Sequence, residues 1–232
     1  MTRIIAVTGL NKEAALIASS EIEVLVGGGD SQGLRAELRR RASGAAGLIS
    51  IGIAGALDPA LKVGDAVIGD AVIADARRYE ADARWAQALL AKLPDARAGA
   101  VSGVDRIVAD VAAKHALRQA DGSIAVDMES HIVAEIAGEL GLRFAVVRFI
   151  SDSAGHVLPK AALVGMRPDG SMDLAAVLAS IARDPRQIPA LIRTGRDAGA
   201  AFRALLRGRQ VLGGALGFAD IEGGHPALAD VL

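Results

Sequence analysis

The sequence predicts an α/β protein with three layers, in which helices cover both faces of a central sheet. Short β-branched runs alternate with longer amphipathic stretches through the first 150 residues. The runs are almost continuously apolar, which is typical of strands that are buried on both faces. The chain has 232 residues, 52% of them hydrophobic, and is therefore long enough to bury a sizeable core.

Strands and helices are predicted to alternate in a regular order. The apolar runs are predicted to be strands over residues 3–8, 21–26, 47–52, 66–73, 98–102, 124–126 and 144–150. The amphipathic stretches between them are predicted to be helices over residues 11–19, 31–41, 85–93, 107–119 and 129–140. No polar linker before residue 170 suggests a domain boundary.

The C-terminal part differs in composition from the rest. Residues 175–183 and 188–206 are predicted to be helices separated by Asp184-Pro185, and the sequence after Gly213 is rich in glycine and alanine. We therefore predict a single domain over residues 1–210, with C-terminal helices over 175–210, and a flexible tail over 211–232.

The second of these helices allows two interpretations. It is cationic, and its apolar residues are predicted to form one stripe. Either it packs on the domain with a solvated arginine face, or it attaches to an anionic membrane or a lipid-bearing substrate. The arginines are Arg193, Arg196, Arg203 and Arg207, and the apolar residues are Ile188, Leu191, Ile192, Phe202, Leu205 and Leu206.

The composition excludes several classes of protein. A formal net charge of −1 argues against a nucleic-acid-binding protein, and the absence of cysteine excludes disulfides and thiolate chemistry. The N-terminal sequence does not resemble a cleavable signal, and no stretch approaches the roughly 18 apolar residues that span a bilayer. The four histidines show no paired metal-ligand spacing. We expect a cytoplasmic protein without a metal or cofactor.

Acidic residues follow two of the predicted strands. Asp127 and Glu129 come after the strand 124–126, and the pair Ser151-Asp152 follows the strand 144–150. The carboxyl ends of strands in α/β proteins open onto the ligand crevice. Carboxylates there indicate proton transfer and hydroxyl binding. Arg148, within an apolar strand, is predicted to pair with a buried carboxylate.

Two glycine-rich loops follow other predicted strands. Gly27, Gly28 and Gly29 precede a helix, so their N–H groups are candidates for binding a phosphate, although a tight turn capped by Asp30 is equally consistent. Their spacing fits neither the dinucleotide fingerprint nor a Walker loop. Residues 52–57 are small, which allows a ligand to approach the backbone closely.

Several short motifs occur together and in order. They are Gly52–Leu57 with Leu61-Lys62-Val63-Gly64-Asp65, Ala76–Asp82, Val101-Ser102-Gly103, Val126-Asp127-Met128-Glu129 and Val146–Asp152. This set resembles the nucleoside phosphorylase/nucleosidase superfamily over residues 1–155, especially the methylthioadenosine/adenosylhomocysteine nucleosidases. Thr8-Gly9-Leu10 with Glu13, the triple glycine and residues 163–170 are most similar to the hopanoid-associated phosphorylase subgroup. The resemblance implies a phosphorylase/hydrolase-like fold with a mixed central sheet.

The resemblance also implies roles for individual residues. Asp152 corresponds to the acid that protonates the purine N7, and Glu129 to the residue that holds the ribose 2′-hydroxyl. Glu13 corresponds to the base that activates water. Further substrate contacts are implied for Met128, Asp127, Ser151, Ser102, Gly103, Arg106, Ile107, Ile53 and Gly55.

The sequence departs from the family at three points. Arg106 stands where relatives carry a phenylalanine beside the purine, so a guanidinium face is expected to replace ring stacking. Ile53 stands where many have a serine or threonine. The segment after Asp82 is short, which is expected to leave the 5′ side open to a bulky group.

These roles predict a purine nucleosidase that acts on a 5′-substituted adenosine. Adenosylhopane is the expected substrate and adenine the product, as part of hopanoid biosynthesis. The chemistry requires a buried, protonated Asp152 and an ionised Glu129 beside the electron-poor sugar. A phosphorylase with phosphate on Gly27–Gly29, and a non-catalytic nucleoside- or lipid-binding protein, are the alternatives. We expect a homodimer and keep peripheral contact with the inner membrane as a further hypothesis.

Overall fold

The computed structural model of the protein describes residues 3–164, 167, 169–171 and 173–222. Its strands are β1 (Ile4–Thr8), β2 (Ile22–Val26), β3 (Gly47–Ala56), β4 (Ala66–Ala74), β5 (Arg77–Glu80), β6 (Arg97–Gly103), β7 (Ala125–Asp127) and β8 (Arg143–Asp152). Its helices are α1 (Asn11–Ile17), α2 (Ser31–Ala42), α3 (Ala83–Lys92), α4 (Val111–Asp121), α5 (Ser130–Leu140), α6 (Lys160–Leu163), α7 (Leu174–Arg183), α8 (Ile188–Leu212) and α9 (Ala219–Glu222).

The strands form one mixed sheet that closes partly on itself. β3 pairs along its whole length with β8 on one edge, and with β1 and then β7 on the other. β8 also pairs with β4, which continues through β6 to β7 and so back to β3. Five strands therefore form a ring, with β2 and β1 extending from it on one side and β5 on the other.

Alternate residues of the central strands pack on opposite faces of the sheet. Ile5, Leu48 and Val146 belong to a core with α2 and α5. Their chain neighbours Ile4, Ile49 and Val147 belong to a second core with α1, α3 and α8. This two-residue alternation gives the three-layer arrangement, because each face of the sheet is covered by helices. The predicted α/β fold with a mixed central sheet is confirmed.

Two element boundaries differ from the predictions in a way that affects the cavity described below. β3 continues to Ala56, four residues beyond its predicted end, because β8 and β7 provide hydrogen-bonding partners there. α4 begins at Val111, because the Asp110 side chain accepts the N–H of Ala113 and caps the helix. The predicted start at residue 107 is therefore wrong, and residues 104–110 form a loop.

The chain beyond residue 210 differs from the predicted flexible tail as far as residue 222. α8 extends to Leu212, and the turn after it packs Leu216 and Phe218 into the second core. Trp85 in α3 contacts the Phe218 ring and donates from Nε1 to the carbonyl of Leu216 at 2.9 Å. Residues 223–232 lie outside the described part of the chain. The single domain over residues 1–210 stays a prediction.

The predicted apolar stripe on α8 is only partly buried. The buried residues of α8 are Ala201, Ala204, Leu205, Gly208 and Leu212, all in its C-terminal half. Ile188, Ile192 and Leu206 are exposed. In the described residues no helix has both the length and the apolar character needed to cross a bilayer.

Candidate active site

A cavity of about 190 Å³ opens at the carboxyl ends of β3 and β8. The start of α1, the loop 104–108 and the segment before α5 complete its walls. The predicted site residues that line it are Glu13, Glu129, Asp152, Met128, Asp127, Arg106, Ile107, Ile53, Gly55 and Ser151. The structure therefore brings together four carboxyl groups, those of Glu13, Asp127, Glu129 and Asp152, the first and last of which are more than 100 residues apart in the sequence.

Glu13 lies in the first turn of α1 and is held by backbone N–H groups. Its Oε2 accepts from Gly9 at 2.8 Å and Leu10 at 2.7 Å, and its Oε1 accepts from Ile53 at 2.6 Å. Burial raises the pKa of Glu13, although these N–H groups and Arg148 act in the opposite direction. An ionised carboxylate has about four acceptor positions. One acceptor position therefore remains for a ligand or a water molecule.

Glu129 immediately precedes α5 and is 6% exposed. Burial raises the pKa of Glu129 to about 8; Arg148 lowers it, and the nearby carboxylates of Asp127 and Glu13 raise it further. At neutral pH the carboxyl group is therefore mostly protonated. This differs from the ionised Glu129 that the proposed chemistry was expected to require, because one guanidinium serves three buried acids.

Arg148 connects these acids beneath the cavity. It is fully buried, and its guanidinium forms ion pairs with Asp127 at 2.6 Å and with Glu129 at 3.6 Å. It also donates to the hydroxyl groups of Ser50 and Ser130. The prediction that Arg148 pairs with a buried carboxylate is confirmed.

Asp127 holds the beginning of α5 in place. Its Oδ1 accepts the N–H groups of Glu129 at 3.0 Å and Ser130 at 2.8 Å, and its Oδ2 accepts from the Ser130 hydroxyl. Asp127 was predicted as a substrate contact. Its side chain is only 1% exposed and its oxygens already have partners in the protein, but it lines the cavity, so the substrate contact stays a prediction.

Asp152 reaches the cavity through a β-bulge. Ala54 pairs with Ile150 and Gly55 pairs with Asp152, so that Ser151 is an extra residue on β8. Such a bulge changes the direction of the neighbouring side chains. Both Ser151 and Asp152 consequently line the cavity, and the Ser151 hydroxyl donates to Asp152 Oδ1 at 2.8 Å.

Asp152 is also paired with a buried lysine. Lys114 on α4 is 1% exposed and donates from Nζ to Asp152 Oδ2. Lys114 was not predicted from the sequence, because a lysine on an amphipathic helix normally points to solvent. Asp152 is buried as expected and forms an ion pair with Lys114, and its role as a protonated acid stays a prediction.

Small residues allow the backbone of β3 to approach the site. A Cβ on Gly55 would lie 3.2 Å from Asp152 Oδ2, and one on Gly52 would lie 2.6 Å from Glu13 Oε1 and 2.9 Å from Arg148 Nη1. Met128, Ile53 and Ile107 form apolar walls, and Leu10, Val108 and Leu158 add to them. The cavity is therefore apolar at its sides, with carboxyl groups at defined points.

Five predicted residues lie outside this cavity. The Ser102 hydroxyl donates to Asp121 instead, and Gly103 packs against His131, where a Cβ would lie 2.4 Å from the His131 Cβ. Gly27 and Gly28 donate their N–H groups to Thr8 and Gly9 carbonyls at 2.7 Å and 3.0 Å. These two N–H groups are therefore not free to bind a phosphate. Gly29 forms a β-bridge with Asp169.

The site carries no metal-binding arrangement in the residues that the structure describes. There, no group of three His, Asp or Glu side chains is placed to hold a metal ion. The carboxyl groups contact backbone N–H groups, Arg148 or Lys114 instead. Their arrangement is suited to proton transfer and to the stabilisation of a positively charged reacting group.

Comparisons with known proteins agree with this architecture. The sequence profile of a family described as "Phosphorylase superfamily" matches residues 2–183. A comparison with curated proteins gave no match.

Several solved structures share the fold. An S-adenosylhomocysteine nucleosidase from Streptococcus pyogenes, in complex with 5-methylthiotubericidin, is 20% identical with a TM-score of 0.58, covering 88% of this chain and 96% of that one. A 5′-methylthioadenosine/S-adenosylhomocysteine nucleosidase from S. pneumoniae is 21% identical with a TM-score of 0.57, and the match covers 88% of this chain and 100% of that one. A futalosine hydrolase from Helicobacter pylori is 15% identical with a TM-score of 0.60, and the match covers 90% of this chain and 97% of that one.

Proposed function

Because the chain belongs to the phosphorylase superfamily, we propose that it is a purine nucleosidase, which hydrolyses the N-glycosidic bond of a 5′-substituted adenosine and releases adenine. The observation that carries the proposal is the shared cavity of Glu13, Glu129 and Asp152. The similar solved structures include nucleosidases that act on methylthioadenosine and S-adenosylhomocysteine.

Each carboxyl group has a distinct role in this proposal. Asp152 protonates the purine N7, so that adenine leaves as a neutral base when the C1′–N9 bond breaks. Glu129 binds the ribose 2′-hydroxyl, with Met128 beneath the sugar. The remaining acceptor position of Glu13 orients water towards C1′, where positive charge develops.

The proposed 5′ substituent is a lipid, which makes adenosylhopane the proposed substrate. The cavity volume of about 190 Å³ is below the roughly 300–1,000 Å³ of sites that enclose a whole drug-sized ligand. A large 5′ substituent must therefore extend out of the cavity. The side chains of Leu10, Ile107 and Leu158 offer apolar contact, and Ile107 is 37% exposed.

Hydrolysis is favoured over phosphorolysis by the hydrogen bonding of the glycine loop. Gly27 and Gly28 donate their N–H groups to backbone carbonyls. Among the lining residues that the structure describes, Arg106 is the one with a positive charge, and Arg148 is already paired with Asp127 and Glu129. A phosphate dianion would therefore meet more acids than cations.

The proposal is tested by product analysis. Purified protein is incubated with adenosylhopane or methylthioadenosine, each with and without phosphate, and adenine and the sugar product are quantified. We expect adenine and the free sugar at a rate independent of phosphate. A sugar 1-phosphate would identify a phosphorylase instead.

Replacing the proposed acid distinguishes an enzyme from a binding protein. Asp152→Asn is expected to lower the rate of adenine release by about 10²–10⁴-fold, because the amide cannot supply the proton. Asp95→Asn, at an exposed position, is the control and is expected to retain the rate. If the unaltered protein, Asp152→Asn and Asp95→Asn all bind adenine nucleosides and none of them turns the nucleosides over, the non-catalytic alternative is favoured.

We also propose peripheral contact with a membrane through α7 and the first half of α8. Leu174 and Leu178 are 65% and 66% exposed, Ile192 is 53% exposed, and Arg193 and Arg196 are also exposed. Apolar residues flanked by arginines favour an anionic bilayer surface. Flotation with anionic liposomes at low salt tests the membrane contact, and no co-migration would contradict it.

Sedimentation analysis tests the proposed homodimer.

A further inference from the structure

Lys114 is the buried side chain of α4 and lies behind the proposed acid. Its Nζ donates to Asp152 Oδ2, and it also donates to the carbonyl oxygens of Ser153 and His156, both at 3.0 Å. An ammonium group has three protons to donate. All three are therefore used inside the protein, and the side chain is 1% exposed.

Two contacts hold the Asp152 carboxylate from opposite ends. The Ser151 hydroxyl donates to Oδ1 at 2.8 Å, while Lys114 donates to Oδ2. Of the three acceptors around Lys114, the carboxylate is the one that can take up a proton, because backbone carbonyls are too weakly basic. The geometry thus connects a buried proton source to the residue that faces the cavity.

We propose that Lys114 is the positioning residue of Asp152 and the source of the proton that Asp152 passes to the departing base. This inference rests on the proposed nucleosidase function. It assigns a role to a side chain that does not line the cavity and that acts through the carboxyl group in front of it.

The C1′–N9 bond breaks and its electron pair passes into the purine, whose N7 gains a proton from Asp152. Asp152 gains a proton from Nζ of Lys114, which becomes a neutral amine. Water adds at C1′ and loses its proton to Glu13. Exchange with solvent after product release returns a proton to Lys114 and removes one from Glu13.

Two substitutions separate proton supply from positioning. Lys114→Met removes the charge and keeps most of the side-chain volume. Lys114→Arg keeps the charge, but a guanidinium does not give up its proton in proteins. Lys160→Met on α6, at an exposed position, is the matched control. Circular dichroism and thermal unfolding establish that each variant is folded.

Each protein is assayed with methylthioadenosine and with 4-nitrophenyl riboside, whose leaving group departs without protonation. We expect both Lys114 variants to lower kcat for methylthioadenosine by about 10²-fold or more, with KM changed by less than about threefold. Their rates with 4-nitrophenyl riboside are expected to stay within about threefold of the unaltered protein. If Lys114→Met does not fold, Lys114→Arg alone carries the comparison.

The contrary results are distinct from one another. Full activity of Lys114→Arg with methylthioadenosine would overturn the proton supply. Equal losses with both compounds would reduce Lys114 to a purely structural role. Turnover of methylthioadenosine that is insensitive to both Lys114 variants would overturn the inference and leave the proposed function standing. Failure of the unaltered protein to release adenine from methylthioadenosine and from adenosylhopane would overturn both the inference and the proposed function.

Discussion

Arg148 shares one positive charge among three buried acids. It lies 2.6 Å from Asp127 and 3.6 Å from Glu129, and it also lowers the pKa of Glu13. Three ionised carboxylates around one guanidinium would leave two uncompensated negative charges in a region shielded from water. Glu129 therefore keeps its proton at neutral pH, with its pKa raised to about 8 by burial in the first place.

This arrangement makes a prediction about stability. The ordinary pKa of Glu129 is 4.5, whereas in the folded protein it is about 8. Between these values the folded state binds more protons than the unfolded state, so the contribution of Glu129 to the unfolding free energy falls as pH rises. Glu129→Gln removes this dependence. We expect the Tm of Glu129→Gln minus the Tm of the unaltered protein to become more positive from pH 5 to pH 8, because only the unaltered protein loses the contribution of Glu129.

Thermal unfolding at a series of pH values and constant ionic strength tests this prediction. Glu37→Gln is the control, because the pKa of Glu37 is lowered to about 2 by hydrogen bonds from Arg40 and Arg41. Glu37 is therefore ionised in the folded state over this range, and in the unfolded state it is largely ionised because its ordinary pKa is 4.5. The Tm difference for Glu37→Gln should therefore change little. A constant difference for Glu129→Gln would contradict the assigned protonation state.

The carboxyl groups of Glu129 and Asp152 and the pairing of Arg148 with a buried carboxylate were accessible to prediction, whereas Lys114, the partner of Asp152, was not. Asp152 and Glu129 follow strands, and the end of a strand is a local feature of the sequence. Lys114 lies 38 residues before Asp152, and its amphipathic helix gives no sign that this lysine points inward. Its partner is decided by the packing of α4 on the loop after β8, which is a property of the folded chain.

At the scale of elements, α8 packs closely on β8 through a glycine. A Cβ on Gly208 would lie 2.4 Å from Cζ of Phe149, which is 2% exposed. For Gly195 in the same helix, no atom of the residues that the structure describes lies within 4 Å of the corresponding position. The two glycines therefore offer a matched pair of substitutions.

We expect Gly208→Ala to destabilise the protein by about 1–3 kcal/mol, because Phe149 is confined in a packed core. Gly195→Ala should stabilise it by roughly 0.5–1 kcal/mol, since alanine loses less backbone entropy in a helix. Urea unfolding of both variants gives the free energies. Equal stability of the two variants would show that α8 does not approach β8 as closely as described.

The local sequence does not predict the hairpin of β4 and β5. Its two turn residues, Asp75 and Ala76, have φ angles of 48° and 60°. Turns of this kind usually carry Asn-Gly or Asp-Gly. The strand that follows, Arg77–Glu80, is polar, so neither the turn nor β5 was predicted. The hairpin forms because β4 offers a free edge in the sheet.

At the scale of the whole molecule, the closure of the sheet determines the site. β3 is bonded to β8 and β7 near its carboxyl end, so the residues following each of these strands meet at one place. Glu13 is added from α1 through its hydrogen bond to Ile53. The sequence predicted seven of the eight described strands and their order along the chain. Their closure depends on long-range pairings that no single segment specifies.

The C-terminal turn after α8 contributes to the stability of the entire domain. Trp85, the one tryptophan of the chain, has its ring 4.7 Å from the Phe218 ring in an edge-on arrangement and is fully buried. Glycine and alanine in residues 213–217 suggested mobility, but Leu216 and Phe218 supply enough apolar surface to hold this segment on α3. Two apolar side chains therefore hold the segment in place, although the glycines and alanines around them do not predict packing.

Phe218→Ala tests whether this segment is packed or mobile. We expect the unfolding free energy to fall by about 3–5 kcal/mol, because the ring fills a buried space against Trp85. Tryptophan emission should shift to longer wavelength as water reaches Trp85. Val211→Ala is the control; Val211 is 52% exposed on α8, and its replacement should change stability by no more than about 0.5 kcal/mol. If Phe218→Ala changes neither stability nor emission, the segment after Gly213 does not pack on α3, and the flexible tail predicted from its composition is the better description.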